Sequence, residues 1–148
     1  MSEMEPMNSD SIKLFTLGEA DRLLPEISEL MQKIQKLRDF LERQEIEIDA
    51  LELLAHSSEE AEKNPKLNQK VEEYHVEVES FYRCVDQIHK MGCVIKDLEL
   101  GLVDFYAIYQ DHIVFLCWRL GEKEIGYWHE IGRGYPDRKP LEWPKSSS

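Results

Sequence analysis

The stretch that decides the fold runs from residue 23 to residue 51 and reads LLPEISELMQKIQKLRDFLERQEIEIDAL. Apolar side chains recur along it at alternating intervals of four and three residues, and a single polar residue interrupts them. The series is Leu23, Ile27, Leu30, Ile34, Leu37, Leu41, Gln44, Ile48 and Leu51. This spacing places the side chains along one side of an underwound helix, which is the pattern of a coiled coil.

A second series with the same spacing follows further along the chain. It consists of Leu67, Val71, Tyr74, Val78, Phe81, Val85 and Ile88. The segment between the two series, residues 56–65, contains Ser, Asn and Pro and is short enough to join antiparallel neighbours. We therefore predict an antiparallel helical hairpin over residues 16–92. The predicted pairs are Ile48 with Val71, Leu41 with Val78, Ile34 with Val85, and Gln44 with Tyr74 or His75.

The ends of the hairpin carry recognisable signals. Residues 16–19, Thr-Leu-Gly-Glu, read as a capping box, and Gly92 reads as a C-cap. Pro25 either begins a second helix or kinks a single one. Leu24 and Met31 widen the apolar stripe near the start of the first helix, and a wider stripe needs a third partner. That partner is either a domain packed at the base of the hairpin or a second copy of the chain.

From Cys93 onward the apolar period changes to two, and branched and aromatic residues predominate. Residues 93–135 are predicted to form a small antiparallel β-meander of three or four strands, packed at the base of the hairpin. Residues 1–15 and 136–148 are predicted to be an N-terminal tail and an irregular C-terminal tail. The predicted fold class is α+β, with a long coiled-coil-like hairpin followed by the meander.

Charge and cysteine content limit the function classes. The 148 residues carry 30 acidic and 18 basic side chains, for a net charge of −12. A chain this acidic is a poor general binder of nucleic acid or of anionic membranes. The chain has no secretory signal and no membrane-spanning run, and its three cysteines are an odd number, so we expect a reducing, cytoplasmic location.

The turn at Gln110-Asp111 determines which residues of the meander share a face. A two-residue loop there places Asp104 opposite Cys117 and Val103 opposite Trp118, with the apolar core on the Val103 face. The next turn, around Glu122, leaves the register open. An even-numbered loop places His129 beside Leu116 on the core face and Trp128 beside Cys117.

A shift of one residue would bring Asp104, Cys117 and His129 into one row, which is a nucleophilic constellation. The preferred interpretation is structural: Cys117 packed, His129 partly buried with one hydrogen-bond partner, and Arg119 paired with Glu130 or Asp104. The same three side chains could supply metal ligands, but no ligand-motif spacing supports this. Neither a metal nor a cofactor is therefore predicted.

Residues 132–139 form a locally basic, glycine-containing loop. Arg133 and Arg138 in this loop are candidates for binding a phosphate or carboxylate, and the alternative is a solvated turn. At the other end of the molecule, Glu59, Glu60 and Glu62 form an acidic tip on the hairpin. The tip is either a solvated loop or a contact for a basic partner.

Several short motifs are similar to those of a known family. They are residues 13–17 (KLFTL), Glu19-Ala20, residues 23–25 (LLP), residues 95–97 (IKD), residues 101–105 (GLVDF), residues 116–119 (LCWR), Gly121-Glu122, Ile125, Trp128-His129, Gly134 and Arg138. Together they resemble an uncharacterised prokaryotic family, domain of unknown function number 2203. The resemblance implies a helical N-terminal part and a short C-terminal region that bears the motifs, with no activity to transfer. It also implies that the polar motif residues are the candidate site: Asp97, Asp104, Arg119, Glu122, His129 and Arg138.

Two classes of function follow. The first is a macromolecular interaction or regulatory module with a protein partner or self-association, since the seam is long and no catalytic motif is evident. The alternative is a ligand-binding or enzymatic site on the β domain, built from Asp104, Arg119, His129 and Arg138 with Trp118 or Trp128 as a wall. The sequence does not decide whether the protein is an enzyme.

Overall fold

The computed structural model describes residues 12–142. Most of the predicted N-terminal tail and the last six residues of the predicted C-terminal tail lie outside that range. The chain divides into two compact units. Residues 12–31 and 87–142 belong to the first, here called the sheet unit, and residues 32–86 form the second, here called the hairpin unit. The class is α+β: a helical hairpin followed by an antiparallel β-meander.

Three α-helices are present in the described chain: α1 spans Leu17–Leu54, α2 Ser58–Glu62 and α3 Pro65–Lys90. The capping box is confirmed, because Thr16 N–H donates to Glu19 Oε1 at 3.0 Å and Glu19 N–H donates to Thr16 Oγ1 at 3.1 Å. Helix α1 continues through Pro25, so a separate short first helix is wrong. Among the helices described, none has both the length and the apolar character that crossing a membrane requires.

In the hairpin unit, the predicted seam faces inward. Every member of both apolar series within residues 32–86 is buried or half-buried. Two bonds between the helices match the predicted pairing: Lys70 Nζ donates to Glu47 Oε1, and Tyr74 Oη donates to Glu45 Oε2 at 3.4 Å. The prediction that Gln44 pairs with Tyr74 or His75 is wrong. Tyr74 binds Glu45 instead, and Gln44 Oε1 is buried with no hydrogen bond to any described residue.

The connection between the helices is more ordered than the sequence predicts. Ser57 Oγ accepts the Glu60 N–H at 3.1 Å and caps α2, a helix of five residues. Asn64 Oδ1 then accepts the N–H groups of Lys66 and Leu67 at 2.9 and 3.2 Å, which caps α3. These caps satisfy the backbone donors that a helix start leaves open, so the tip of the hairpin has a defined conformation.

The sheet unit contains five antiparallel strands in sequential order: β1 Val94–Asp97, β2 Leu102–Tyr109, β3 His112–Arg119, β4 Tyr127–Glu130 and β5 Lys139–Pro140. Three or four strands were predicted, and β5 lies within the segment predicted to be an irregular tail. It escapes sequence analysis because it has two residues, one of them proline, which only an edge strand tolerates. A short 3-10 helix, Tyr135–Asp137, precedes it.

The turn between β2 and β3 follows the prediction. Gln110 and Asp111 have φ angles of +52° and +68°, which are the two left-handed residues that a two-residue hairpin turn requires. Asp104 accordingly lies opposite Cys117, and Val103 lies opposite Trp118.

The register between β3 and β4 differs from the expected one. Leu116 lies opposite Trp128, and Phe115 lies opposite His129. The even-numbered loop that placed His129 beside Leu116 is therefore wrong. His129 also does not lie directly opposite Cys117, because Tyr127 occupies that position.

This register places Trp128 on the core face, where its ring lies 4.9 Å from that of Tyr109. The centre of the core face is apolar: Val103, Phe105, Ala107, Val114, Leu116, Trp118 and Trp128 are all buried. The core face and the start of α1 belong to the same compact unit. The ring of Phe15 lies edge-on to Phe105 with centroids 5.2 Å apart, and Ile125 N–H donates to Asp21 Oδ1 at 2.9 Å. Leu24 and Met31 are buried within the chain, so the stripe on which self-association was predicted is covered.

Candidate functional site

Three reactive side chains converge on the opposite face of the sheet, here called the polar face. Asp104, Cys117 and His129 come from the neighbouring strands β2, β3 and β4. Strand pairing places Asp104 beside Cys117, and His129 lies two residues beyond the partner of Cys117 on the same face. One carboxylate oxygen, the thiol sulfur and one ring nitrogen all lie within 4.8 Å of one another. The three residues are 0%, 1% and 2% exposed, respectively, so this cluster is buried.

The imidazole of His129 is held by two hydrogen bonds. Nε2 lies 2.8 Å from Asp104 Oδ2, and Nδ1 lies 3.0 Å from the backbone carbonyl oxygen of Glu130. A carbonyl only accepts, so Nδ1 carries a proton. Burial by itself lowers the pKa of His129, but its bonds to Asp104, Cys117 and the Glu130 carbonyl outweigh that effect and raise the pKa to about 10.

At neutral pH the ring is therefore an imidazolium, paired with the Asp104 carboxylate. A cysteine nucleophile is activated either by a neighbouring base or by a neighbouring cation that stabilises its thiolate, and an imidazolium can act as that cation. The nucleophilic constellation considered from the sequence is thus assembled on one face. Cys117 is buried, however, so its thiol is shielded from a substrate in solvent.

One buried polar atom in the cluster is unsatisfied. Asp104 Oδ1 has no hydrogen-bond partner among the described residues, although Oδ2 of the same carboxylate binds His129. Leaving such an atom unpaired costs roughly 1–3 kcal/mol. The ion pair with His129 uses only Oδ2. It therefore does not explain why Oδ1 is buried beside a thiol without a partner of its own.

A second charged pair borders the cluster. Arg138 binds both carboxylate oxygens of Glu122, with Nη2 to Oε2 at 2.7 Å and Nη1 to Oε1 at 3.3 Å. Glu122 Oε1 also accepts the Arg119 N–H at 2.9 Å, and the Glu122 carbonyl accepts Trp118 Nε1–H at 2.9 Å. Arg138 Nη1 lies 4.0 Å from Cys117 Sγ. Glu122 therefore fixes the arginine that approaches the buried thiol.

Aromatic side chains surround this arginine. The guanidinium of Arg138 lies 3.9 Å from the ring centre of Tyr127 and 4.5 Å from that of Tyr135. Tyr135 also accepts a hydrogen bond from Arg119 Nη1 at 3.0 Å. Contacts of a cation with aromatic rings add stabilisation of roughly 0.5–2 kcal/mol, the more so where the cation is desolvated. The 3-10 helix and β5 thus hold Arg138 over the edge of the polar face.

Comparison with known proteins identifies the family. A family model described as an uncharacterised conserved protein, DUF2203, matches residues 13–141. The chain belongs to DUF2203. No curated protein and no solved structure matches it. The match spans both the hairpin and the sheet, and it includes all three residues of the buried cluster.

Of the six site residues predicted for this DUF2203 chain, five lie together in two groups. Asp104 and His129 form one group, and Arg119, Glu122 and Arg138 form the other, with Cys117 between them. The sixth, Asp97, caps a turn by accepting the Leu100 N–H at 2.9 Å. Asp104, Arg119 and His129 thus lie on the polar face of the sheet, Glu122 and Arg138 lie beside it, and Asp97 lies apart.

Two details of the preferred structural interpretation and one detail of the ligand-site alternative are corrected. Arg119 pairs with neither Glu130 nor Asp104, because Glu130 binds His112 at 2.9 Å and Asp104 binds His129. His129 has two hydrogen-bond partners where one was expected, and it is fully buried where partial burial was expected. The expected wall of Trp118 or Trp128 is also wrong, since both belong to the core face.

The aromatic residues on or beside the polar face in this DUF2203 chain include Tyr106, Phe115, Tyr127 and Tyr135, which sequence reasoning missed as parts of the site. The position of Phe115 could have been predicted, because residues 115, 117 and 119 alternate along β3 and therefore share a face. In the glycine-containing loop, Arg133 is exposed and lies 4.0 Å from Asp137, while Arg138 is bound to Glu122.

Proposed function

We propose that this protein is a macromolecular interaction module whose helical hairpin contacts a basic protein partner. The single observation that supports this most strongly is a group of large apolar side chains that are exposed near the hairpin tip. Ile46, Leu53 and Leu54 are 69%, 85% and 75% exposed. Ile46 and Leu53 are seven residues apart, so they lie on the same side of α1. Exposed apolar side chains rimmed by polar ones are typical of protein-binding surfaces.

The charge around these side chains indicates the kind of partner. Residues 42–62 contain eight carboxylates and one basic residue, Arg43. All eight carboxylates are exposed: Glu42, Glu45, Glu47, Asp49, Glu52, Glu59, Glu60 and Glu62. Such a concentration of one sign attracts a surface of the opposite sign and repels others. A basic protein surface with an apolar centre is the complement of this end of the hairpin.

The capped tip supports the same proposal. The bonds made by Ser57 and Asn64 order the connecting backbone, so the exposed side chains of Glu59 and Glu60 lie on a preformed short helix, α2. A preformed surface loses less conformational entropy on binding than a flexible one. We also propose a cytoplasmic location, because Cys84, Cys93 and Cys117 are free thiols.

The test compares what the tagged protein retains with what two matched variants retain. Leu53→Gln with Leu54→Gln removes the apolar centre, and Ile131→Gln, an exposed isoleucine of the sheet unit, is the control. We expect a basic protein that is retained by the wild type and the control, released by the double variant, and bound more weakly as salt rises. Retention of the same proteins by all three would contradict the proposal.

A charge variant separates the acidic tip from the apolar centre. Replacing Glu59, Glu60 and Glu62 by Gln preserves their size and removes three charges. If the tip takes part in the contact, this variant should lose affinity and much of the salt dependence. Unchanged binding would restrict the contact to the apolar side chains of α1.

A second candidate function is a ligand-binding or enzymatic site on the sheet. The observation in its favour is that Asp104, Arg119 and His129 share the polar face, with Arg138 at its edge. We expect small carboxylates or phosphates to raise the melting temperature of the wild type, and Arg119→Met to abolish that response. Lys123→Met, which removes an exposed cation of the same unit, is the control. No response in the wild type would rule out this anion site.

A further inference from the structure

We propose that Asp104, Cys117 and His129 form a binding site for one divalent transition metal ion, with zinc as the best match. The proposal does not depend on the interaction function of the hairpin. Among the residues that the structure describes, these three are the one set of metal-ligating side chains that lie this close together. Thiolate, imidazole and carboxylate are the ligands that zinc takes in proteins, and three protein ligands with an open fourth position are common.

The distances require only side-chain movement. Zinc binds sulfur at about 2.3 Å and nitrogen or oxygen at about 2.0–2.2 Å, so neighbouring ligand atoms of a tetrahedral site are about 3.5 Å apart. The three atoms here lie within 4.8 Å of one another, and Nε2 of His129 lies 2.8 Å from Asp104 Oδ2. The farthest atoms need to approach by about 1 Å and the nearest to separate by less than that, to match the tetrahedral spacing.

The second bond of His129 is the one that a metal-binding histidine makes. A histidine that ligates through one ring nitrogen generally donates its other N–H to a carbonyl or carboxylate, which fixes the tautomer. Nδ1 of His129 lies 3.0 Å from the Glu130 carbonyl oxygen. With Nδ1–H donated there, Nε2 is the nitrogen left to bind a metal, and Nε2 is the atom that faces Asp104.

An independent observation is the unsatisfied oxygen of Asp104. Oδ1 is buried and has no hydrogen bond to any residue in the described range. A cation between the three side chains would interact with this carboxylate and offset the cost of burying an unpaired oxygen. The ion pair with His129 does not account for the buried Oδ1, because His129 binds only Oδ2.

Charge and protons balance when the metal binds. The doubly charged ion replaces two protons, one from the Cys117 thiol and one from Nε2 of His129, and both protons pass to solvent. The thiolate and the carboxylate then neutralise the ion, so the buried site has no net charge. Arg138 Nη1, 4.0 Å from Cys117 Sγ, stabilises the thiolate, while Glu122 balances the charge of the arginine itself.

The experiment uses the full chain, freed of metal with a chelator and titrated with Co²⁺. We expect one Co²⁺ per chain, with the ultraviolet charge-transfer absorption of a cobalt–thiolate bond, and displacement of Co²⁺ by Zn²⁺. Cys117→Ser should lose the charge-transfer absorption, and His129→Gln should bind at least about tenfold more weakly. Cys93→Ser, which changes a buried thiol outside the cluster, is the control and should behave as the wild type.

A measurement on the wild type alone covers the case in which a variant does not fold. X-ray absorption at the zinc edge should show one sulfur ligand at about 2.3 Å, together with nitrogen and oxygen ligands at about 2.0–2.2 Å. Binding without a cobalt–thiolate absorption, absorption that persists in Cys117→Ser, or no binding by the folded wild type would each overturn the proposal.

Discussion

The substitution Asp104→Asn tests the charge state of the buried cluster in the metal-free protein. Asn has nearly the same shape as Asp and keeps an oxygen near Nε2 of His129, but it removes the negative charge. The wild-type ion pair is almost completely buried, with 2.8 Å between Nε2 and Oδ2. The variant therefore leaves an imidazolium in the sheet without a counterion, or forces it to lose its proton.

The size of the effect follows from the pKa of His129. In the folded wild type, the bonds to Asp104, Cys117 and the Glu130 carbonyl overcome burial and raise this pKa from 6.5 to about 10. That difference corresponds to roughly 4–5 kcal/mol between the two protonation states. Removing one partner of a buried ion pair typically costs roughly 3–5 kcal/mol. We expect a loss of that order in the free energy of unfolding.

The loss should depend on pH with a definite sign. A pKa that is higher in the folded state stabilises the protein fully below the ordinary value of 6.5, and this contribution disappears as pH rises through about 10. Without the Asp104 charge, the pKa of His129 falls, because burial is then opposed only by the remaining hydrogen bonds, and this contribution shrinks. The difference between wild type and Asp104→Asn should therefore be largest near pH 6 and smallest near pH 10.

Urea unfolding followed by circular dichroism at several pH values measures this difference. Asp111→Asn is the matched control: it makes the same chemical change at an exposed position in the turn between β2 and β3. Its effect should stay within about 0.5 kcal/mol throughout. A loss in Asp104→Asn below about 1 kcal/mol, or an equal loss near pH 6 and near pH 10, would refute the ion-pair assignment.

Three further predictions follow from single contacts. Thr16→Ala removes the reciprocal cap with Glu19 and should lower the free energy of unfolding by about 1 kcal/mol, measured by urea unfolding; no loss would mean that the cap is dispensable. Burial raises the pKa of Cys93 to about 12, so this thiol should not react with maleimide near pH 8 until the protein unfolds, and rapid labelling of the native protein would contradict that. Glu122→Gln removes the charged partner of Arg138 and should cost roughly 1.5–3 kcal/mol; amide exchange in β5 should accelerate with it, and unchanged exchange would show that the strand is held by other contacts.

Local rules were sufficient for the hairpin and for the first turn of the sheet. The alternation of four and three identifies the seam because helix geometry by itself brings those residues to one side. The capping box and the turn at Gln110-Asp111 each depend on residues within four positions of one another. Since these interactions are local, they can be read without knowing the rest of the fold.

Motif similarity drew attention to residues that the fold brings near one another, but it did not predict their arrangement. Five of the six residues expected on the basis of motif similarity do lie together, but their pairing was misjudged. Arg138 binds Glu122, sixteen residues away, and it does so because β5 pairs with β4. A two-residue strand containing proline has no periodicity to reveal it, so its consequence for Arg138 is visible only in the folded chain.

The sequence by itself determined the two helices, their register, and the pairing of Asp104 with Cys117. The tertiary structure alone decided on which face His129 lies. Trp128 and His129 are neighbours on β4, so only one of them can occupy the core face. Burial of the larger apolar ring of Trp128 beside Tyr109 and Leu116 sets the register. His129 is thereby turned to the other face, where Asp104 and Cys117 already lie, and this competition between distant contacts has no signature in local sequence.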